Sequence, residues 1–223
     1  MSVANHLKAI SEELKSLPHQ LIAVSKNHPV QAILEAFDYG QLHFGENKVQ
    51  EMVDKHQLLP KSIHWHMIGH LQRNKVKYIA PFVYMIHSVD TLKLLTEIQK
   101  EALKNDRIIN CLLQVHVAQE ETKFGLSWTE LEELLSSEEF RNMDNICIKG
   151  IMAMASNTDN QQQIRSEFKE VKQHFDTYKT QFNALKNVDF QEISMGMSSD
   201  YKIALEEGST YIRIGSAIFG NRN

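Results

Sequence analysis

The feature that most constrains this chain is an alternation. Eight short apolar runs of strand length are separated by stretches with helical spacing. The runs are Leu21–Ser25, Leu42–Phe44, His64–Ile68, Val83–His87, Ile109–Val117, Ile146–Met154, Phe190–Ser194 and Tyr211–Ile214. Helical patterns lie between them at Val30–Tyr39, Lys48–Gln57, Thr91–Lys104, Thr129–Leu135, Gln163–Leu185 and Asp200–Glu207. Val171, Phe175 and Tyr178, for example, fall on one helical stripe. Regular β–α alternation predicts parallel strands, because parallel neighbours need a crossover and a helix supplies it. Eight such repeats in 223 residues predict a closed α/β structure, a (β/α)8 TIM barrel, as one domain over residues 1–223. The charged helical stretch Met1 to Pro18 precedes the first strand and adds an extra N-terminal helix. An open, doubly wound sheet would usually carry GxGxxG after its first strand, and no such motif occurs.

Local signals refine this outline. Asp90 and Ser127 suit helix N-caps. Gly40, Gly150 and Gly208 mark turns near helix ends or strand starts, and polar Asn157–Gln163 reads as an exposed loop. A net charge of -4 argues against general binding to nucleic acid or anionic membranes. No window reaches the apolar length of a membrane span, and no signal-peptide pattern is visible. Cys111 and Cys147 form neither a disulfide framework nor a CxxC pair, so both read as buried, reduced thiols in a cytoplasmic protein.

The residues at the C-terminal ends of the runs carry the chemistry, which is where barrels of this type build sites. Lys26 follows Leu21-Ile22-Ala23-Val24-Ser25. An ammonium in such surroundings is costly unless paired or neutral, and a neutral amine attacks aldehydes; alternatively it snorkels to the strand edge. Ser194-Met195-Gly196-Met197-Ser198 is a small-residue turn that either lets backbone approach a ligand or merely caps the next helix with Ser198 or Ser199. Arg213-Ile214-Gly215-Ser216 follows the last run, a usual phosphate-binding position in barrels; Arg213 could also be a surface residue. Asn47 either touches a ligand oxygen or caps a helix. A lysine, an arginine and two small-residue turns together suggest a phosphorylated aldehyde as ligand. His64, His66 and His70 have zinc-like spacing but lack a completing carboxylate or thiolate, so no metal site is expected. Lys123-Phe124-Gly125 reads as a loop.

Taken together, the segments AVSK (23–26), HFGEN with QE (43–51), HWHMIGHLQRNK (64–75), HSVD (87–90), KG.M.M (149–154), SMGMSSDY (194–201) and RIGSAIFG (213–220) resemble the pyridoxal phosphate homeostasis proteins, the YggS/PROSC family. The resemblance runs along nearly the whole chain in order. It implies a fold type III barrel like the N-terminal domain of alanine racemase, with pyridoxal 5′-phosphate (PLP) as cofactor. By position, Lys26 matches the Schiff-base lysine and Asn47 a residue near the cofactor ring. Ser194, Met195, Gly196 and Ser198, with Gly215 and Ser216, match the phosphate cradle. Arg213 matches the arginine facing the pyridine nitrogen. One departure is His116, where the family pattern has asparagine.

Two functions compete on this reading: a carrier that buffers or delivers PLP, and a PLP-dependent amino-acid racemase. An arginine at the ring nitrogen keeps it unprotonated and weakens the cofactor as an electron sink. Racemases with that arginine complete their site with a tyrosine from a second domain. The sequence stops at Asn223, so no such domain is expected, and Tyr39, Tyr78 and Tyr201 lie in no second-base motif. The expectation is therefore a monomeric PLP carrier without substantial turnover, with apo PLP-dependent enzymes as candidate recipients. An unrelated phosphate-binding barrel enzyme is a third possibility at the level of fold.

Overall fold

The structure is a computed structural model that describes residues 2–14, 19–119 and 124–220. Eight parallel strands close into a barrel in chain order: β1 (Gln20–Val24), β2 (His43–Glu46), β3 (His64–Met67), β4 (Met85–Val89), β5 (Ile109–Gln114), β6 (Ile146–Met152), β7 (Val188–Ser194) and β8 (Tyr211–Ile214). The seam is β1 against β8, in register from Gln20↔Tyr211 to Ala23↔Ile214. Every expected strand is present. β4 starts two residues later than the apolar run because the Val83 N–H still bonds back to Ile79 O, finishing a helical turn.

The helices are α1 (Val3–Leu14), α2 (Val30–Asp38), α3 (Val49–Leu58), α4 (Val76–Ile79), α5 (Leu92–Lys104), α6 (Trp128–Ser136), α7 (Glu138–Arg141), α8 (Gln161–Gln181), α9 (Tyr201–Glu206) and α10 (Ser216–Phe219). A 3₁₀ turn at Arg73–Lys75 leads into α4. α4 and α7 are single turns, too short to show a period in the sequence. The N-terminal helix is present as α1, and its His6 Nδ1 lies 2.9 Å from Ile218 O of α10. Residues 15–18 of the expected helix and Lys123 of the expected loop lie outside the described residues.

Three local expectations need correction. Thr91, not Asp90, caps α5: its Oγ1 accepts from the Leu94 N–H at 3.2 Å, while Asp90 sits 3.3 Å from His70. Gly150 is not in a turn but inside β6, at a register shift against β7. It has φ +148°, and a Cβ there would fall 1.8 Å from Glu192 O, so only glycine fits. Cys111 is buried as expected, but Cys147 is half-buried. Ser127 does cap α6, in a reciprocal capping box with Glu130.

Two packed regions result. The larger lies between strands and helices and includes Phe44, Trp65, Phe140 and Phe168. The smaller fills the barrel and contains Ile22, Met85, Leu112, Met152 and Tyr211. Polar side chains interrupt the smaller one, and they lead to the site.

Candidate functional site

A cavity of about 380 Å³ opens at the C-terminal ends of the strands, within the usual size range for small-ligand sites. Lys26, Asn47, Ser198, Arg213, Gly215 and Ser216 line it, so six of the nine expected residues converge there. Val24, Ile68, Met154 and Met197 supply apolar wall, and Ser199 completes the lining. A groove of about 410 Å³ is lined by Asp90, Lys93, Glu130 and Glu133; its acidic excess suits an anion poorly.

Lys26 follows β1 directly, and both its chain neighbours are clamped. Ser25 is fully buried; its Oγ donates to Glu46 Oε1 at 2.6 Å, and its carbonyl accepts from Lys55 Nζ at 2.7 Å. Lys55 also donates to Glu46 Oε1 and Glu51 Oε1, each at 2.7 Å. On the other side Asn27 is left-handed, φ 62°, and its N–H donates to Glu51 Oε1 at 2.5 Å. Asparagine tolerates this conformation better than most residues. A single buried cation thus ties β1, β2 and α3 into one support for Lys26. Burial raises the Glu46 carboxyl, and Lys55 opposes that shift.

Asn47 follows β2. It does not cap α3, whose N-cap is Lys48 without a side-chain bond. Asn47 Oδ1 is buried and bonds to no protein group. Buried polar atoms are normally satisfied, so an orphaned acceptor on the cavity wall suits a ligand donor.

Ser194, Met195 and Gly196 do not reach the cavity wall. Ser194 is fully buried at the end of β7. The Met195 N–H donates to Ser209 Oγ, a buried hydroxyl that bridges β7 and β8 and that the sequence did not reveal. Gly196 has φ +91°, and a Cβ there would meet Ala204 Cβ of α9 at 2.6 Å. The glycine is required where the turn packs against α9. The turn nevertheless delivers Ser198, whose Oγ lies 3.4 Å from the Gly215 N–H.

Arg213 is not a surface residue but 4% exposed. Its Nη1 donates to Ser194 O and Oγ, both at 2.7 Å, and its Nη2 to Ala153 O at 2.9 Å. A guanidinium carries five donors, so others remain for the cavity. Burial pushes its pKa down to about 10, which leaves it protonated near neutral pH.

The zinc-like histidines do something else. Among the described residues no group of three or more His, Cys, Asp or Glu could hold a metal. His64 and His66 instead bond across strands, with His43 between them: His64 Nδ1 to His43 Nε2 is 3.2 Å, and His43 Nδ1 to His66 Nε2 is 2.9 Å. His66 Nδ1 lies 2.8 Å from His87 Nε2, and His87 Nδ1 lies 2.9 Å from Ser194 Oγ. His70 sits apart, stacked on Phe124. His116 is half-buried beyond β5 and outside the cavity lining; its N–H bonds to Leu126 O.

Comparison with known proteins shows the family to which the chain belongs. The family model for the alanine racemase N-terminal domain matches residues 2–223. The pyridoxal phosphate homeostasis protein of Aquifex aeolicus is 38% identical over 204 residues, covering 91% of this chain and 87% of that protein. The solved structure of PipY from Synechococcus elongatus with PLP bound superposes with a TM-score of 0.88 at 34% identity, covering 98% of this chain and 100% of that one. Alanine racemase from Bartonella henselae, at 14% identity and a TM-score of 0.71, shares the fold; this chain spans 60% of it. The chain therefore belongs to the family of the alanine racemase N-terminal domain and, within it, to the pyridoxal phosphate homeostasis proteins.

Proposed function

We propose that this protein binds PLP in the cavity at the C-terminal mouth and serves its intracellular homeostasis, by holding the cofactor and releasing it to apo-enzymes. The observation that carries the reading is the convergence of Lys26, Arg213 and the Ser198–Gly215–Ser216 turn around one cavity. The orphaned Asn47 Oδ1 at that wall adds an acceptor that the ring substituents could satisfy. Bound PLP supplies an aldehyde that condenses with a primary amine and a ring that withdraws electrons from the attached carbon.

Lys26 is the residue to hold the aldehyde carbon as a Schiff base. Ser198 and the Gly215 and Ser216 backbone are placed to receive the phosphate. Ser194, Met195 and Gly196 support that cradle from below. Arg213 would meet the ring nitrogen; because it can donate a hydrogen bond but holds its own protons tightly, it would leave that nitrogen unprotonated and disfavour proton abstraction from a bound amino acid. The relatives named pyridoxal phosphate homeostasis proteins, and PipY solved with PLP bound, support a role in holding the cofactor. Among the described residues no helix is long and apolar enough to cross a membrane. Two free thiols suit the reducing cytoplasm.

The test is borohydride reduction of the PLP-loaded chain, digestion and peptide mapping. Label is expected on Lys26; label elsewhere with Lys26 unmodified overturns the assignment. Incubation with L-alanine in deuterated water then separates the two functions. Turnover in the usual enzymatic range, roughly 1–10³ s⁻¹, would make the protein a racemase. Activation of an apo PLP enzyme by the loaded chain is the result expected of a carrier.

A further inference from the structure

Four imidazoles run through the barrel in single file. His43 and His64 open β2 and β3, and His66 and His87 lie deeper on β3 and β4. The bonds described above join them into one line, His64–His43–His66–His87–Ser194–Arg213. The line spans the barrel from its N-terminal end to the cavity. Tyr84 stacks on His64 at 4.3 Å between ring centroids, and Tyr211 packs beside His66 and His87 at 5.7 and 5.8 Å. His66 and His87 are both fully buried.

Hydrogen-bond accounting fixes the direction of this line. Arg213 can only donate, so Ser194 Oγ accepts from Nη1. The Ser194 hydroxyl proton then needs an acceptor, and His87 Nδ1 is the group at 2.9 Å. His87 must therefore carry its proton on Nε2 and donate to His66 Nδ1. The same logic passes to His66, whose Nε2–H meets His43 Nδ1, and to His43, whose Nε2–H meets His64 Nδ1. A neutral imidazole has one donor and one acceptor, so one tautomer repeated along the line satisfies every contact. Burial and the neighbouring rings hold His43, His66 and His87 neutral, and Arg213 adds its repulsion at His87.

We infer that His43, His66 and His87 are positioning residues for Arg213: a column of neutral, Nε2-protonated imidazoles that turns the Ser194 hydroxyl away from the guanidinium and so keeps Ser194 Oγ as its acceptor. Reversing the column would point three donors the other way. Ser194 would then accept from both sides, and its own proton would have to turn elsewhere, against the fork that aims Arg213 at the cavity. The consequence for ligand binding rests on the proposed contact between Arg213 and the ring nitrogen of PLP; the tautomer pattern does not.

The experiment has two arms. In the first, the full chain without added PLP is labelled with ¹⁵N-histidine, and long-range ¹H–¹⁵N correlation spectra are recorded near neutral pH. His43, His66 and His87 are expected to be neutral with the proton on Nε2. An Nδ1–H tautomer or an imidazolium at any of the three overturns the column. In the second arm PLP is the probe. His87→Phe should weaken binding roughly tenfold, the equivalent of one lost net hydrogen bond, and shift the absorption maximum of the bound cofactor. In a Ser194→Ala background the same substitution should have no further effect on either readout. An equal fold-change in both backgrounds overturns positioning through Ser194. Failure of the unaltered chain to bind PLP strikes the proposed function alone, and the tautomer pattern then decides the column by itself.

Discussion

Between the strands and the helices, packing is mostly apolar, with Phe44, Trp65, Phe140 and Phe168 all fully buried, and polar groups such as the Lys55–Glu46 pair are local exceptions. Inside the strands, Ile22, Met85, Leu112, Met152 and Tyr211 share a narrower space with His66, His87, Ser194 and Arg213. Both regions exclude water, yet they are held together differently. In the outer region any side chain of the right volume contributes, because dispersion and burial have no direction. In the inner region each polar group needs a particular partner at a particular angle, since a half-satisfied network is worse than an apolar core. The outer region stabilises the barrel; the inner one aims Arg213. The comparison teaches that an apparently less favourable core can be the one on which function depends.

The hardest blow to the inner region's role is at its mouth. Lys26→Ala should abolish borohydride-fixed label while leaving stability within about 0.5 kcal/mol, as for most substitutions outside the core; retained label with PLP would break the link between site and lysine. In the outer region, Phe168→Ala should cost about 3–5 kcal/mol in urea denaturation without moving the absorption maximum of PLP bound to the folded fraction. A shifted spectrum would mean that the two regions are not independent.

Acid separates the regions further. Burial and His64 push His43 from 6.5 down to about 4, so between those values the unfolded chain binds a proton that the folded one refuses. Stability should therefore fall as pH falls through that window, by at most roughly 1.4 kcal/mol per pH unit for this ring, less what its partial solvent contact screens. His43→Phe should flatten the slope of urea midpoint against pH, and an unchanged slope would contradict the assignment. The smallest effect belongs to the periphery: Thr91→Ala removes the α5 cap and should cost about 1 kcal/mol, with PLP affinity unchanged in a binding titration.

Much of the outer architecture was legible in the sequence because its signals are local. A strand needs only its own apolar run, and Lys26 and Arg213 declare themselves by ending such runs. The inner network is not local. His64 and His66 share a strand, and their spacing invited a metal reading. Their actual partners, His43 and His87, come from neighbouring strands and depend on registers such as Gly45↔His66 that only the closed barrel sets. Ser194 shows the same limit: its small size marked it as a site residue, but its place beneath Arg213 depends on β8 lying beside β7. Lys55 was invisible for a related reason. Read alone it is one more charge on an exposed helix, and only the packing of α3 behind β1 turns it inward onto Ser25 and Glu46.

The β1–β8 seam has a consequence for how the protein is made. A ribosome releases β1, with Lys26, early, and β8, with Arg213, late. Until β8 emerges, β1 has one open edge, and neither the guanidinium nor the Gly215 turn stands opposite the lysine. A stalled or truncated nascent chain thus carries the amine without the chamber around it. Retention of ligand becomes a mark of finished translation, a check on completeness that follows from placing the first and last strands side by side.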